Sequence, residues 1–334
     1  MKNKFLSRTV LTLSMAMRSN SMTAPSTDIT AVTRKIRRAF ANFPHVIDVH
    51  KRLDTLRSYH CLNEEPESVA IVGVTGTGKT ALLTKYYSRH PRIEHEEYTE
   101  VPVLYAEIPA KCTIKKLVTI LLRAIDSPFP VAGDEEDRTH QLITLVRQCK
   151  VRLIILDEIN HLVDRGTKIS HYFVGDWIKQ LITKTHVPVV LAGTPRVRDL
   201  LETNEQLASR FAETISIASL SAEKDAINSI GTALATFGQM LGDIPSIPFE
   251  VVETQRLFVF ACGGRLRSLA RLFTRAVEIG GTAVGVNFDS LAQAFEQVIY
   301  DKCPQGRNPF RDDFDGTPLN KAGEPFHILN LEAM

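Results

Sequence analysis

The chain has 334 residues, 44% hydrophobic and 23% charged, and 40 lysines and arginines against 38 aspartates and glutamates leave a formal charge of +2. That is the balance of an ordinary globular protein with room for two structural units, and any basic surface on it must be local. No apolar run approaches the ~18 residues that cross a bilayer, and five scattered cysteines without a Cys-x-x-Cys pair indicate neither a zinc site nor a disulfide framework, so a protein of the reducing cytoplasm is expected.

The chain opens with MKNKFLSRTVLTLSMAMRSNSM, basic and free of acids, and residues 1–60 hold 11 lysines and arginines against 3 aspartates. We read residues 1–30 as a disordered extension, a solvated tail in the commoner reading and a basic arm that can approach an anionic polymer in the other. Residues 31–62 read as helical, with Ile36, Phe40, Val49, Leu53 and Leu56 at three- and four-residue spacing.

A strand, Val69–Val72, then runs into VGVTGTGKTAL, which contains Gly73-x-x-x-x-Gly78-Lys79-Thr80. Gly73, Gly76 and Gly78 suit a loop in left-handed conformation that presents backbone N–H groups to phosphate oxygens at a helix N-terminus. Lys79 is expected on the β- and γ-phosphates of ATP, the Thr80 hydroxyl on Mg²⁺, and Thr75, Thr77 and Ala81 beside them on the nucleotide. Further along, a strand at Val103–Glu107 is followed by helices at Ile114–Ala124 and Arg138–Lys150. Between strand and helix, IPAKCTIKKL carries Lys111, Thr113, Lys115 and Lys116, groups suited to phosphate contacts on a nucleic acid without reading its sequence.

LIILDEINHL follows: the buried strand Leu153–Leu156, then Asp157 to hold the Mg²⁺ shell and Glu158 to orient and deprotonate an attacking water. The next loop, VDRGTKISH, adds Arg165 and Lys168 to the expected nucleic-acid contacts. After a helix at Phe173–Thr185, the strand Val187–Ala192 ends in Gly193 and Thr194, where a hydroxyl can reach the γ-phosphate or the water. LASRFAETI places Arg210 before a short strand-like run, suited to forking onto phosphate oxygens. Continuously apolar strands alternating with helices indicate a parallel sheet covered on both faces. From about residue 221 helical periodicity dominates, and CGGRLRSLARLF opens a helix with Arg265 and Arg267, either of which could reach the phosphates.

In chain order these motifs match Walker A, Walker B, sensor 1, arginine finger and sensor 2, and the chain resembles the AAA+ ATPases. RLDTLRSY, LIILDEINHL, VPVVLAGTP and LASRF are similar more narrowly to the TniB/TnsC transposition regulators, relatives of MuB and IstB. The resemblance implies an α/β fold, a P-loop ATPase with a parallel sheet flanked by helices and a small C-terminal helical lid, over residues 31–220 and 221–301. It implies Arg267 as the sensor 2 residue, although Gly263 and Gly264 permit two alignments. It further implies an ATP- and Mg²⁺-dependent homo-oligomer, filament or ring, on double-stranded DNA. Such an assembly marks the target, recruits a transposase, works with a TniQ/TnsD-like target selector, and turns over on hydrolysis. A STAND-like signalling switch would carry sensor repeats, of which none is visible, and an origin or helicase loader would append a winged domain, for which the polar end leaves no room. Residues 302–334 read as a flexible tail, with Phe310, Phe314 and Phe326 as anchors for the transposase.

Overall fold

In the computed structural model the described residues are 28–39, 43–59, 66–163, 168–211, 213–217 and 226–327. They begin with helices α1 (Ile29–Arg37) and α2 (Pro44–Tyr59), strand β1 (Val69–Val72), helix α3 (Lys79–Ser88) and the small hairpin β2 (Ile93–Glu94) and β3 (Thr99–Glu100). There follow β4 (Val103–Glu107), α4 (Ile114–Ala124), α5 (Glu135–Gln148), β5 (Leu153–Asp157), α6 (Asn160–Val163), α7 (Lys168–Thr185) and β6 (Val189–Gly193). Then come α8 (Val197–Glu202), α9 (Glu205–Ala208), β7 (Glu213–Ser216) and the helices α10 (Ala226–Leu241), α11 (Val252–Cys262), α12 (Leu266–Val284) and α13 (Phe288–Val298).

Five strands form one parallel sheet in the order β4-β5-β6-β1-β7. Their period-two alternation separates two cores. Val69, Ile71, Leu153, Ile155, Val190 and Ala192 face α2, α3 and the C-terminal helices, whereas Ala70, Val72, Ile154, Leu156, Val189 and Leu191 face α4, α5 and α7. A sheet covered on both faces explains why its strands carry no polar alternation in the sequence. Because every strand is parallel, the loops after β1, β4, β5 and β6 all leave from the same edge.

The boundaries differ from the sequence reading where capping decides them. The expected single helical stretch is two helices, the first capped by Asp28, whose carboxylate accepts from Thr30 N, so residues 28–30 belong to the fold. Residues 1–27 lie outside the described residues, as does the expected boundary near residue 221. α5 starts three residues earlier than its apolar pattern, where Asp134 and Asp137 make a reciprocal capping box. No helix among the described residues is long and apolar enough to cross a membrane.

The expected flexible tail is a correction. Residues 301–327 form an irregular strap packed on the C-terminal helices. Phe310 is buried with its ring 5.2 Å from that of Phe258, and Phe314 stacks edge-on against Phe260. Asn308 Nδ2 donates to Ala292 O and Glu296 Oε1 at 3.0 and 2.8 Å. Arg307 is buried, donating to Glu324 Oε1 at 2.7 Å and to both Asp315 oxygens at 2.6 and 2.7 Å. Composition hid this because the strap is fastened by a few long-range polar pairs and aromatic anchors, not by a periodic apolar face. Arg307→Met leaves Glu324 charged and buried, and it is expected to destabilise the protein by about 3–5 kcal/mol. A fall in the urea midpoint at unchanged m-value measures this; a loss of only a few tenths would mean that the clamp contributes little.

Candidate functional site

The loop between β1 and α3 is built as its composition requires. Gly76 and Gly78 are left-handed, with φ of 87° and 95°, a region that costs an L-residue roughly 1–2 kcal/mol. Gly73 differs from the expectation: it lacks a positive φ, and its need is space, since a Cβ there would lie 2.5 Å from Ile217 O. Lys79, the first residue of α3, is 4% exposed, and its ammonium donates to Gly73 O at 2.7 Å and Val74 O at 3.1 Å. Burial pushes the Lys79 ammonium below the ordinary lysine range; Glu158 and Asp157 oppose that shift and the positive charge of Arg267 adds to it.

Asp157, at the end of β5, is fully buried. Its Oδ2 accepts from Tyr105 Oη at 3.1 Å and its Oδ1 from Glu158 N at 2.9 Å. Burial raises its pKa above the ordinary carboxylate value, against the hydrogen bonds from the Thr80 hydroxyl, Glu158 N and Tyr105. The Thr80 hydroxyl and a buried carboxylate are a hard oxygen donor set that fits Mg²⁺. Glu158 itself is left-handed at φ 56°, an uncommon conformation for a side chain of its length and one that clusters at functional sites. That turn brings Glu158 to the wall of the same cavity, of about 1100 Å³, that Lys79 and Thr80 line.

The other expected site residues divide. Thr77, Gly78 and Ala81 also line the cavity, whereas Thr75 does not. Thr194 follows β6, between β5 and β1; its backbone N–H donates to Asn160 Oδ1 at 3.3 Å, and its hydroxyl is buried without a hydrogen-bond partner. Arg267 lines the cavity, and its backbone N–H donates to Gly76 O at 3.3 Å; Arg265 is absent from the cavity wall and is buried beside the strap. Arg210 is not brought to this cavity. Its carbonyl accepts from Ser68 N, immediately before β1, which puts it at the sheet edge opposite Lys79.

Lys111, Thr113, Lys115 and Lys116 are exposed at the start of α4, on the sheet edge that also carries the phosphate loop. Thr113 Oγ1 accepts from Lys116 N at 3.3 Å, which leaves its O–H available as a donor. Arg165 lies outside the described residues; the backbone of Lys168 begins α7, and its side chain is not described.

Three groups went unread in the sequence. Tyr105 reaches Asp157 from the neighbouring strand, and only the β4–β5 pairing reveals it. Asn160 fixes Thr194, so close to Gly193 that a Cβ there would lie 2.6 Å from its Oδ1. Ile36 on α1, Phe43 immediately before α2, and Val46 on α2 close the cavity's apolar side with Phe237 and Ala270. Helical spacing marked such residues as core without indicating that they enclose a site.

The family model described as "Bacterial TniB protein" matches residues 33–217. Among curated relatives, the ORC1-type DNA replication protein 1 of Methanosarcina acetivorans is 30% identical over 111 residues, 32% of this chain and 27% of its own length. The ATP-binding subunit ClpE of the Clp protease of Bacillus subtilis is 24% identical over 141 residues, 42% of this chain and 18% of its own. This chain thus spans about a quarter or less of the length of these relatives. Cdc6p of Pyrobaculum aerophilum superposes with a TM-score of 0.60 at 14% identity over 82% of this chain and 72% of that one. The ORC1 protein of Aeropyrum pernix, solved in complex with DNA, gives 0.56 at 17% identity over 80% and 69%. The fold is therefore the expected AAA+ fold, a five-stranded parallel sheet flanked by helices with further helices after it.

Asp157 supplies a test of the site. Since its folded value lies above the unfolded one, the ionised carboxylate opposes folding above that value, and protonation relieves the opposition as pH falls. Asp157→Asn is isosteric and neutral. It should raise the melting temperature of the nucleotide-free protein at neutral pH and remove the Mg²⁺-dependent part of ATP affinity. A lower melting temperature would mean that the bonds from Thr80 and Tyr105 outweigh the burial.

Proposed function

The chain belongs to the TniB family of bacterial proteins, and from that premise we propose that it is an ATP-hydrolysing AAA+ regulator of DNA transposition. It assembles on double-stranded DNA in its ATP-bound form, marks a target site, and recruits a transposase. The observation that carries the reading is a pair of buried opposite charges, Lys79 and Asp157, set at one sheet edge with Glu158 on the wall of the cavity that Lys79 lines.

Each group has a role that its surroundings support. The backbone N–H groups of residues 75–81 receive the phosphates, and Lys79 turns from two loop carbonyls to the β- and γ-oxygens. Thr80 and Asp157 would hold Mg²⁺, which would neutralise phosphate charge there. Glu158 accepts a proton from the attacking water, and the otherwise unpartnered Thr194 hydroxyl orients the water or the γ-phosphate. Arg267 stabilises the phosphates from α12. Arg210 serves the site of a neighbouring copy, where such an arginine accelerates phosphoryl transfer by about 10³ to 10⁵.

Lys111, Thr113, Lys115 and Lys116, with Arg165 and Lys168 farther along the chain, make sequence-independent contacts to DNA phosphates. The family resemblance supplies the oligomer, the transposase and a TniQ/TnsD-like selector as partners. A second reading is favoured by the likeness to Cdc6p and ORC1: a loader acting at replication origins. It separates from the first by requiring preferred sequences, whereas target marking on phosphate contacts alone binds any duplex.

Two measurements test the proposal. Removing each lysine that contacts a phosphate should lower the salt slope of duplex binding by about 1 and weaken all sequences alike; a sequence-selective loss would favour the loader. Glu158→Gln keeps the size of the side chain and removes the base, so the variant should bind ATP, assemble on DNA and dissociate at least about tenfold more slowly after dilution into ATP-free buffer. Equal lifetimes with hydrolysis blocked would reject hydrolysis as the release step.

A further inference from the structure

The strap that follows α13 reaches the turn that leads into α12, the helix that carries Arg267. Its path is fixed by the Arg307 clamp, by Asn308 on α13 and by Phe326 N donating to Leu319 O at 3.1 Å. This brings Phe326 onto the turn between α11 and α12. Gly263 in that turn is left-handed at φ 54°, and a Cβ on it would lie 2.5 Å from Phe326 Cγ, so the ring occupies the space of the side chain that Gly263 lacks. The Arg265 guanidinium lies over the same ring, 5.3 Å from its centroid. It is 9% exposed and its Nη2 has no hydrogen-bond partner, and the electron-rich face of Phe326 offsets part of the cost of that burial.

The other side of Arg265 meets the phosphate loop. Its Cβ and Cδ would stand 3.8 and 3.9 Å from a Cβ on Gly76. Two residues on, Arg267 is bonded through its backbone N–H to Gly76 O, and its side chain lines the cavity. Arg265 therefore stands between Phe326 and the space beside Gly76, and Arg267, two residues on, is hydrogen-bonded to Gly76 itself.

We propose that Phe326 is a positioning residue for the nucleotide site: seated on Gly263 and beneath Arg265, it fixes the first turn of α12 and thereby holds Arg267 and Gly76 in register with the phosphates. The proposal rests on the reading of this cavity as the nucleotide site. It gives the end of the strap a role inside the protein, in place of the transposase anchor that its composition suggested.

A double-mutant cycle on the full chain tests it, with affinity for a non-hydrolysable ATP analogue and Mg²⁺ measured by calorimetry. Phe326→Ala should weaken binding about tenfold, and adding Arg267→Ala should then cost much less than Arg267→Ala does alone, because Arg267 has already lost its placement. Phe326→Tyr, which keeps the ring, should return affinity to within about twofold of the wild type. Phe314→Ala, on the strap but against Phe260, should leave affinity unchanged. Should Phe326→Ala fail to fold, Phe326→Leu keeps the apolar packing while removing the ring, and it carries the same expectation. Additive losses, or undiminished binding by a folded Phe326 variant, would overturn the positioning role while the nucleotide site stands. Absence of binding by the wild type would overturn the nucleotide reading and this proposal with it.

Discussion

The fold is organised around the burial of two opposite charges at the edge of a parallel sheet. Lys79 and Asp157 are both shut away from water, and each is shifted by that burial toward its neutral form. Such a pair opposes folding unless partners surround it. Tyr105, Thr80 and a backbone N–H surround Asp157, and two loop carbonyls receive Lys79. A polyanion with a divalent cation completes the same network with opposite charge. The site is therefore poised for a ligand whose binding energy exceeds what the apo network recovers, and occupancy of the site becomes a stabilising event for the whole sheet edge.

The surrounding architecture converts that local event into a larger one. The face of the sheet behind the phosphate loop shares one continuous hydrophobic core with α1, α2, α3 and the C-terminal helices. Arg37 on α1 pairs with Glu278 on α12 at 3.1 Å, so the segments that close the cavity from either side are tied to each other. In the proposed assembly, Arg210 stands at the far sheet edge of one copy and serves the cavity of the next. Nucleotide occupancy would then set the contact between copies, and the exposed lysines at the start of α4 would follow from the arrangement of those copies.

Much of this was legible in the sequence because backbone chemistry restricts which residues can do it. A loop that must bend left-handed around phosphates needs glycine at 76 and 78, and a buried strand ending in Asp157 and Glu158 cannot be an ordinary surface strand. The four strands of the sequence reading lie in the sheet, and the short run after Arg210 is β7, its edge. What was hidden depends on pairing between distant segments. Tyr105 is read as a strand residue until β4 is placed beside β5, and Asn160 has no role until its amide oxygen accepts from Thr194 N. The strap was misread for the same reason. Arg307, Asp315 and Glu324 look like solvated charges in a polar, glycine-containing segment, and only their mutual contact makes them a clamp.

The central claim is that nucleotide held between Lys79 and Asp157 drives assembly of this chain on duplex DNA. Its most direct test is sedimentation of the full chain on duplexes of unrelated sequence, with a non-hydrolysable ATP analogue, with ADP, and without nucleotide. A large DNA-bound species is expected with the analogue on every duplex, and monomers or small oligomers in the other two conditions. An assembly of equal size in all three, or one confined to a single sequence, would contradict it.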